Sequence, residues 1–401
     1  METEGDDATP RNPKRRKPLN LPAQSSQDLM PTLPPELITE ILLKLPVKSL
    51  LQFRSVSKSW LSLISSPEFV KTHLLLANHR GVMFNVCNAT HYVKECSLSA
   101  LLYDSVAEAF DLDYPGKNPY CYPSIVGSFN GLLCLAVAVS DRLLYNLFLW
   151  NPSIRKYKKL PNYTLDVSHH YNLDKHRYGF RFGFAYDAFL DDYKVVGIFP
   201  IYRNGRLCRV EVKIYSLKSD SWRDIDDFQG RELLSVSGKL VNGKLHWLDR
   251  DQKIISIDLA DEKWAEVEQP SDFKGCGFLV LAVFGNDLSA FCNYEWTTHA
   301  DVWVMKDYGV KESWTKMFTI KFPHRPTGYI FTPPIFMSNK GEVLLQFGSR
   351  FTKYNPKDDS TRYLDVTNFA PCLEEAEIYV KSLVCPFFTE GIAKATTMEL
   401  K

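Results

Sequence analysis

A chain of 401 residues with 45% hydrophobic and 24% charged residues has the composition of a soluble globular protein, with length for one small module and one large domain. Its net charge of +1 argues against a polyanionic partner such as nucleic acid, whose binders carry a clustered basic surplus. No run approaches the roughly 18 apolar residues of a membrane span, and the opening METEGDDATP has no signal-peptide core, so the expected location is the cytoplasm, with the nucleus open to it.

Residues 1–30 lack periodicity and are rich in Pro, Gln, Ser and charge, which predicts a disordered tail. Within it, Lys14-Arg15-Arg16-Lys17 between Pro13 and Pro18 reads either as a nuclear import signal or as a solvated charge run.

From 31 to 75 the pattern is helical. Leu37, Ile38, Ile41, Leu42 and Leu45 share one helical face, opened by Pro34 and Pro35 and stopped by Pro46. Ser49 is placed to cap a second helix with Leu50, Leu51 and Phe53, and a third, with Val56, Trp60, Leu63 and Ile64, ends before Pro67. So small a cluster buries too little surface to stand alone, so its spare apolar face implies either packing on the domain behind it or a partner.

From 76 to 390 short apolar segments alternate with Gly, Asn, Asp and Pro, the signature of an all-β domain. Two hairpin phrases recur. One is strand, polar turn, aromatic (LFLWNPSIRKY, VKIYSLKSDSW, IISIDLADEKW); the other precedes it (FNGLLCLAV, VNGKLHWL), with Asn130-Gly131 and Asn242-Gly243 as hairpin turns. Paired, they predict four-stranded blades at 123–161, 178–226, 231–270, 276–320 and 330–366, at the spacing of a propeller. A sixth blade closes from both ends, three strands between Gly81 and Asp111 joining a first strand in EIYVKSLVCPF, so that no edge stays open. Residues 391–401 read as a second disordered tail. The aromatics Trp222, Trp264, Trp314, Tyr157 and Tyr363 are expected to pack between blades. The nine cysteines (Cys87, Cys96, Cys121, Cys134, Cys208, Cys276, Cys292, Cys372 and Cys385) are scattered and read as reduced core residues.

The helical stretch resembles the plant F-box motif at Leu33-Pro34, Glu36-Leu37, Ile41-Leu42, Leu45-Pro46-Val47-Lys48, Phe53-Arg54, Val56-Ser57-Lys58 and Trp60, with Gln52 and Ser55 replacing a common basic residue and a common Cys. GSFNGLLCL, LWNPSIRKYKKLP, FGFAYDAFLDDYKVV, EVKIYSLKSDSWR and NGKLHWL are similar to phrases of the F-box-associated domain, a kelch-like propeller. The resemblance implies a substrate-recognition subunit of a Skp-cullin-F-box ubiquitin ligase: the F-box docks on a Skp-type adaptor, and through it a cullin-RING ligase, while the propeller holds a target protein for ubiquitination and degradation. The alternative is a non-ligase scaffold or competitor that holds a partner without degrading it. Adaptor-binding candidates are Leu33, Pro34, Leu37, Ile38, Ile41, Leu42, Leu45, Pro46, Leu50, Leu51, Val56 and Trp60.

Strand parity puts the tight turns on one propeller face and the long connections 162–177, 200–208, 293–299 and 322–334 on the other. These carry Tyr, Trp, Arg and His, the first three being residue types that dominate protein hot spots, and give the target-binding candidates His169, Arg177, Tyr202, Arg206, Tyr294, Trp296, Arg325 and Tyr329. No catalytic role is expected. Asp187, Asp191 and Asp192 sit in a hairpin turn that favours Asp for backbone reasons. His169, His170 and His176 lack metal-site spacing, and there is no CxxC pair, GxSxG elbow or dinucleotide fingerprint. No metal or cofactor is therefore expected.

Overall fold

The computed structural model describes residues 33–387 apart from 78, 89, 119–121, 139–144, 166–178, 204–205, 226–227, 229, 295–296, 322–332, 348–349 and 370–372. It has two compact units that join in sequence between Leu42 and Leu43.

Helix α1 (Pro35–Leu43) starts with a proline where the missing N–H is no loss, and the Pro34 carbonyl accepts the first helical bond from Ile38. In the second unit α2 (Val47–Phe53) follows directly on Pro46. Ser49 is not its cap: its amide donates to the Pro46 carbonyl, so it lies inside the first turn. Leu45 and Val56, expected on the first and third helices, lie in the turns after α1 and α2, and there is an additional helix. Helix α3 (Lys58–Ser65) is capped by Ser57, whose hydroxyl accepts from the Trp60 amide, and Ser66 repeats the device on Phe69 to open α4 (Pro67–Leu76). Pro67 begins a helix here as well as ending one.

Strands follow in chain order. They are β1 (Arg80–Asn88), β2 (Thr90–Ser97), a short helix α5 (Leu98–Tyr103) and β3 (Val106–Asp111); then β4–β7 (Pro123–Phe129, Leu132–Ala138, Tyr145–Asn151, Lys156–Lys159) and β8–β11 (Arg181–Asp187, Asp192–Arg203, Arg206–Ser216, Ser221–Ile225). Next come β12–β15 (Lys239–Val241, Lys244–Leu248, Ile254–Asp258, Trp264–Val267), β16–β19 (Phe278–Phe284, Asp287–Asn293, His299–Met305, Trp314–Lys321) and β20–β23 (Phe336–Met337, Val343–Phe347, Arg350–Asn355, Ser360–Tyr363). The last are β24 (Asp365–Thr367) and β25 (Leu373–Val380).

β4 to β23 form five antiparallel four-stranded blades, blades 2 to 6. Blade 1 has the order β24-β3-β2-β1-β25. Its inner strand comes from the C-terminus, as the sequence predicts. Its outer strand does too, because β24 leaves blade 6 and pairs in parallel with β3, Asp365 opposite Val106. Blade 1 is thus a five-stranded sheet gripped on both sides by the end of the chain.

The core explains the strand sequences. Six apolar clusters fill the wedges between neighbouring blades. In β5 every side chain but the last is buried, because alternate residues serve opposite wedges: Leu132, Cys134 and Ala136 pack toward blade 3, Leu133 and Leu135 toward blade 1. Trp222 and Trp314 are wedge residues that also lock the preceding linker, donating through Nε1 to the carbonyls of Pro161 (2.8 Å) and Glu268 (3.0 Å), and Trp264 packs on Phe228. Tyr157 and Tyr363 depart from the expected packing. They sit on outer strands, as the tryptophans do, but are exposed, lacking the indole N–H that ties Trp222 and Trp314 to the preceding linker.

Ring closure concentrates on blade 2. Asn151 is fully buried; its Oδ1 accepts from the Ser153 amide, and its Nδ2 donates to the carbonyls of Ser382 (3.0 Å) and Val384 (2.8 Å) and to the Ser382 hydroxyl. The Ser382 hydroxyl in turn donates to the Asn130 carbonyl. Gly131, at φ +81°, lies so close that an added Cβ would stand 2.5 Å from the Val380 carbonyl oxygen.

A carboxyl group lies at the same seam. Glu375 on β25 accepts from the Ile125 amide (2.9 Å), the Asn85 side-chain amide and the Ser124 hydroxyl. Burial, reinforced by Glu377, pushes its pKa from 4.5 up to about 7 against those donors and Lys239. A raised carboxyl pKa means that the folded state prefers the protonated form, so the group's contribution is full below about pH 4.5 and is lost as pH rises through about 7. Glu375→Gln is therefore expected to match the wild type in thermal stability near pH 4.5 and to exceed it increasingly up to pH 7, with a constant gap above. Parallel melting curves across that range would refute the seam's titration.

Candidate recognition surfaces

The spacing of α1 divides its apolar residues into two sets. Leu37 and Ile41, at i and i+4, are 45% and 50% exposed and Leu33 is 54% exposed, while Ile38 is half-buried and Leu42 fully buried. Pro34 is also exposed. Within α2–α4, Leu50, Ile64 and Phe69 are buried, Leu45, Leu51 and Trp60 are half-buried, and Pro46, Val56 and Leu61 are exposed. Phe53 meets Trp60 edge-on at 5.5 Å, and the buried His73 bonds the Leu45 carbonyl through Nε2 at 2.9 Å, holding the inter-helix turn against α4. Of the twelve adaptor candidates, Leu33, Pro34, Leu37, Ile41, Pro46 and Val56 are thus exposed, and the other six are half-buried or buried.

The propeller has a central cavity of about 1190 Å³ lined by its inner strands, with charged side chains including Arg80, Lys239, Asp258, Lys306, Glu375 and Glu377. Several are paired. Lys244 binds Asp258 at 2.9 Å, holding that carboxyl below its usual range against burial, and Lys239 approaches Glu377 at 3.7 Å. Asp187 accepts from the Phe189 and Leu190 amides and from Lys194 at 2.7 Å, which hold it low despite burial, and Asp192 accepts from the Ser216 hydroxyl. These Asp residues build the hairpin turn. Among the described residues no group of three His, Cys, Asp or Glu could hold a metal ion, and no helix is long and apolar enough to cross a membrane.

The connections that carry the target candidates leave either from second-to-third strand junctions or from one blade to the next, hence from the face opposite the tight turns. His169, Arg177, Trp296, Arg325 and Tyr329 lie outside the described residues, as do His170 and His176. Of the rest, Arg206 is exposed near the end of the β9–β10 hairpin, which outruns its neighbours β8 and β11. Tyr202 on that hairpin is turned inward and bonds Glu232, with its hydroxyl pushed up to about 12, first by burial and then by that carboxylate. Tyr294 is half-buried and donates to Asp301 at 2.9 Å. An extended hairpin alternates its side chains between blade and solvent, so loop membership alone does not separate Tyr202 from Arg206.

The model of the F-box domain matches residues 30–72, and that of the F-box associated beta propeller domain matches residues 99–385. The chain belongs to the F-box-associated β-propeller family. The propeller match begins within α5, so β1 and β2 of blade 1 lie ahead of it. The chain is 31% identical over 371 residues to an F-box/kelch-repeat protein of Arabidopsis thaliana, covering 88% of this chain and 96% of the relative. It is 30% identical over 388 residues to the F-box protein CPR1 of Arabidopsis thaliana, covering 88% and 89%.

Proposed function

We propose that this chain is the substrate-recognition subunit of a Skp-cullin-F-box ubiquitin ligase, with the F-box bound to a Skp-type adaptor and the irregular-loop face of the propeller bound to a target protein. The observation that carries the reading is an F-box whose α1 keeps Leu37 and Ile41 exposed, with Leu33 exposed just ahead of it, in one chain with a closed propeller. Isolated apolar side chains on a surface are ordinary, but a set aligned along one short helix fits a helix-recognising partner. The chain contributes no chemistry; it raises the local concentration of target and ubiquitin-charged enzyme by tethering both.

The test compares the intact chain with one lacking residues 33–69 in cells with the proteasome inhibited and then released. The expected result is that both capture the same target, and that only the intact chain co-purifies with the adaptor and cullin and shortens the target's half-life. Equal ubiquitination and equal lifetime of the target with and without the intact chain would overturn the ligase reading in favour of a scaffold.

A further inference from the structure

Blade 5 brings two thiols together at its entry. Cys276 follows the one-turn helix at Ser271–Gly275 and lies just ahead of β16, while Cys292 lies on β17 near the end that leads into the loop face. The chain folds back there because the Gly277 amide and the Cys276 thiol both donate to the Asn293 carbonyl, at 2.9 and 3.5 Å. Cys292 is fully buried among Leu279, Leu281 and Trp303, and Cys276 packs half-buried at the edge of the same cluster. Cys276 thus reaches the carbonyl of the residue next to Cys292 while packing on the cluster that buries Cys292. Neither takes part in adaptor or target binding as described above.

We propose that Cys276 and Cys292 form an oxidisable dithiol that a hydroperoxide converts into an intramolecular disulfide. The Cys276 sulfur attacks the distal peroxide oxygen, the O–O bond breaks, and the alcohol or water leaves with a proton, giving a sulfenic acid. The Cys292 sulfur then attacks the Cys276 sulfur, the S–O bond breaks, and water leaves with the Cys292 proton. Each thiol sulfur loses one electron, and the peroxide takes both. The roles follow from the environments. Cys276 is the accessible member, so a hydroperoxide meets it first, whereas Cys292 is fully buried and meets only a sulfur that already lies against its own cluster. In a reducing compartment such a bond is transient. While present it ties the linker entering β16 to β17, immediately before Asn293 and Tyr294, and stiffens that sector of the loop face.

Trypsin leaves both cysteines in the single peptide Gly275–Lys306, so oxidation is read without ambiguity. The purified full-length chain is treated with graded hydrogen peroxide, unfolded in alkylating agent and mapped by mass spectrometry. The expected result is loss of both alkylation sites together in Gly275–Lys306, restored by dithiothreitol, at doses that leave most of the exposed Cys208 alkylatable. In Cys292→Ser, Cys276 is expected to stop at the sulfenic acid and react with dimedone. The proposal is overturned if both thiols stay alkylatable at doses that oxidise Cys208, or if Cys276 is oxidised while Cys292 in the same peptide remains free. The wild-type map alone decides between these outcomes should the variant not fold.

Discussion

Replacing Leu37 and Ile41 together by Asp is expected to weaken binding of a Skp-type adaptor by roughly a hundredfold or more, while the melting temperature of the propeller stays unchanged. Both side chains stand half out of the protein on successive turns of α1, so neither carries much of the fold. Covering the exposed half of two such side chains is worth about 2 kcal/mol, and forcing carboxylates into the same contact adds a desolvation cost of comparable or larger size. Titration calorimetry with purified adaptor reads the loss directly. An affinity within a few-fold of the wild type would move the contact away from this face. The buried Leu42 on the same helix is the wrong residue for this purpose, because its truncation removes packing and confuses binding with folding.

Asn151→Ala is expected to destabilise the propeller by about 3 kcal/mol, since it leaves the Ser382 and Val384 carbonyls without the donor that holds them in a buried site. Urea unfolding measures it. The loss should also appear locally, as faster hydrogen exchange in residues 373–387 than in the blades away from the seam. A change of less than about 0.5 kcal/mol would mean that the C-terminal segment is held by its strand pairing with β1 alone.

The seam also explains which parts of the fold were legible in the sequence. The phrases FNGLL and LWNPS stand out because the Asn151 side chain and the bare Cα of Gly131 meet the chain end, a demand that fixes residue identity more tightly than ordinary packing does. Blade number followed from the hairpin turns, whose Asn-Gly pairs have to adopt positive φ at Asn130, Gly131, Asn242 and Gly243. Elements set by distant neighbours were harder to see. β24 is three residues long and exists only because blade 1 presents β3 alongside it. Helix α4 was hidden behind Pro67, which reads as a stop although Ser66 makes it a start. The outward aromatics Tyr157, at the register of Trp222, and Tyr363, two residues past it, lack the indole N–H that ties Trp222 to its linker. On the candidate surfaces, periodicity groups Leu37, Ile38, Ile41 and Leu42 without separating the exposed pair from the rest, and Tyr202 is indistinguishable from Arg206 until the hairpin's facing is fixed.

The two-sided clasp of blade 1 has a consequence for how the protein is made. Strands β1, β2 and β3 leave the ribosome before any other part of the propeller, yet both strands that flank them lie between Asp365 and Val380. Throughout synthesis of the intervening blades, the first sheet therefore carries two bare edges, each a template for pairing with another chain. Closure pairs Arg80 with Val380, across almost the full length of the domain, the slowest class of contact to form. A nascent chain stalled or cut short anywhere before residue 365 would keep those edges open, so production of this protein depends on translation finishing at least as much as on any single blade folding well.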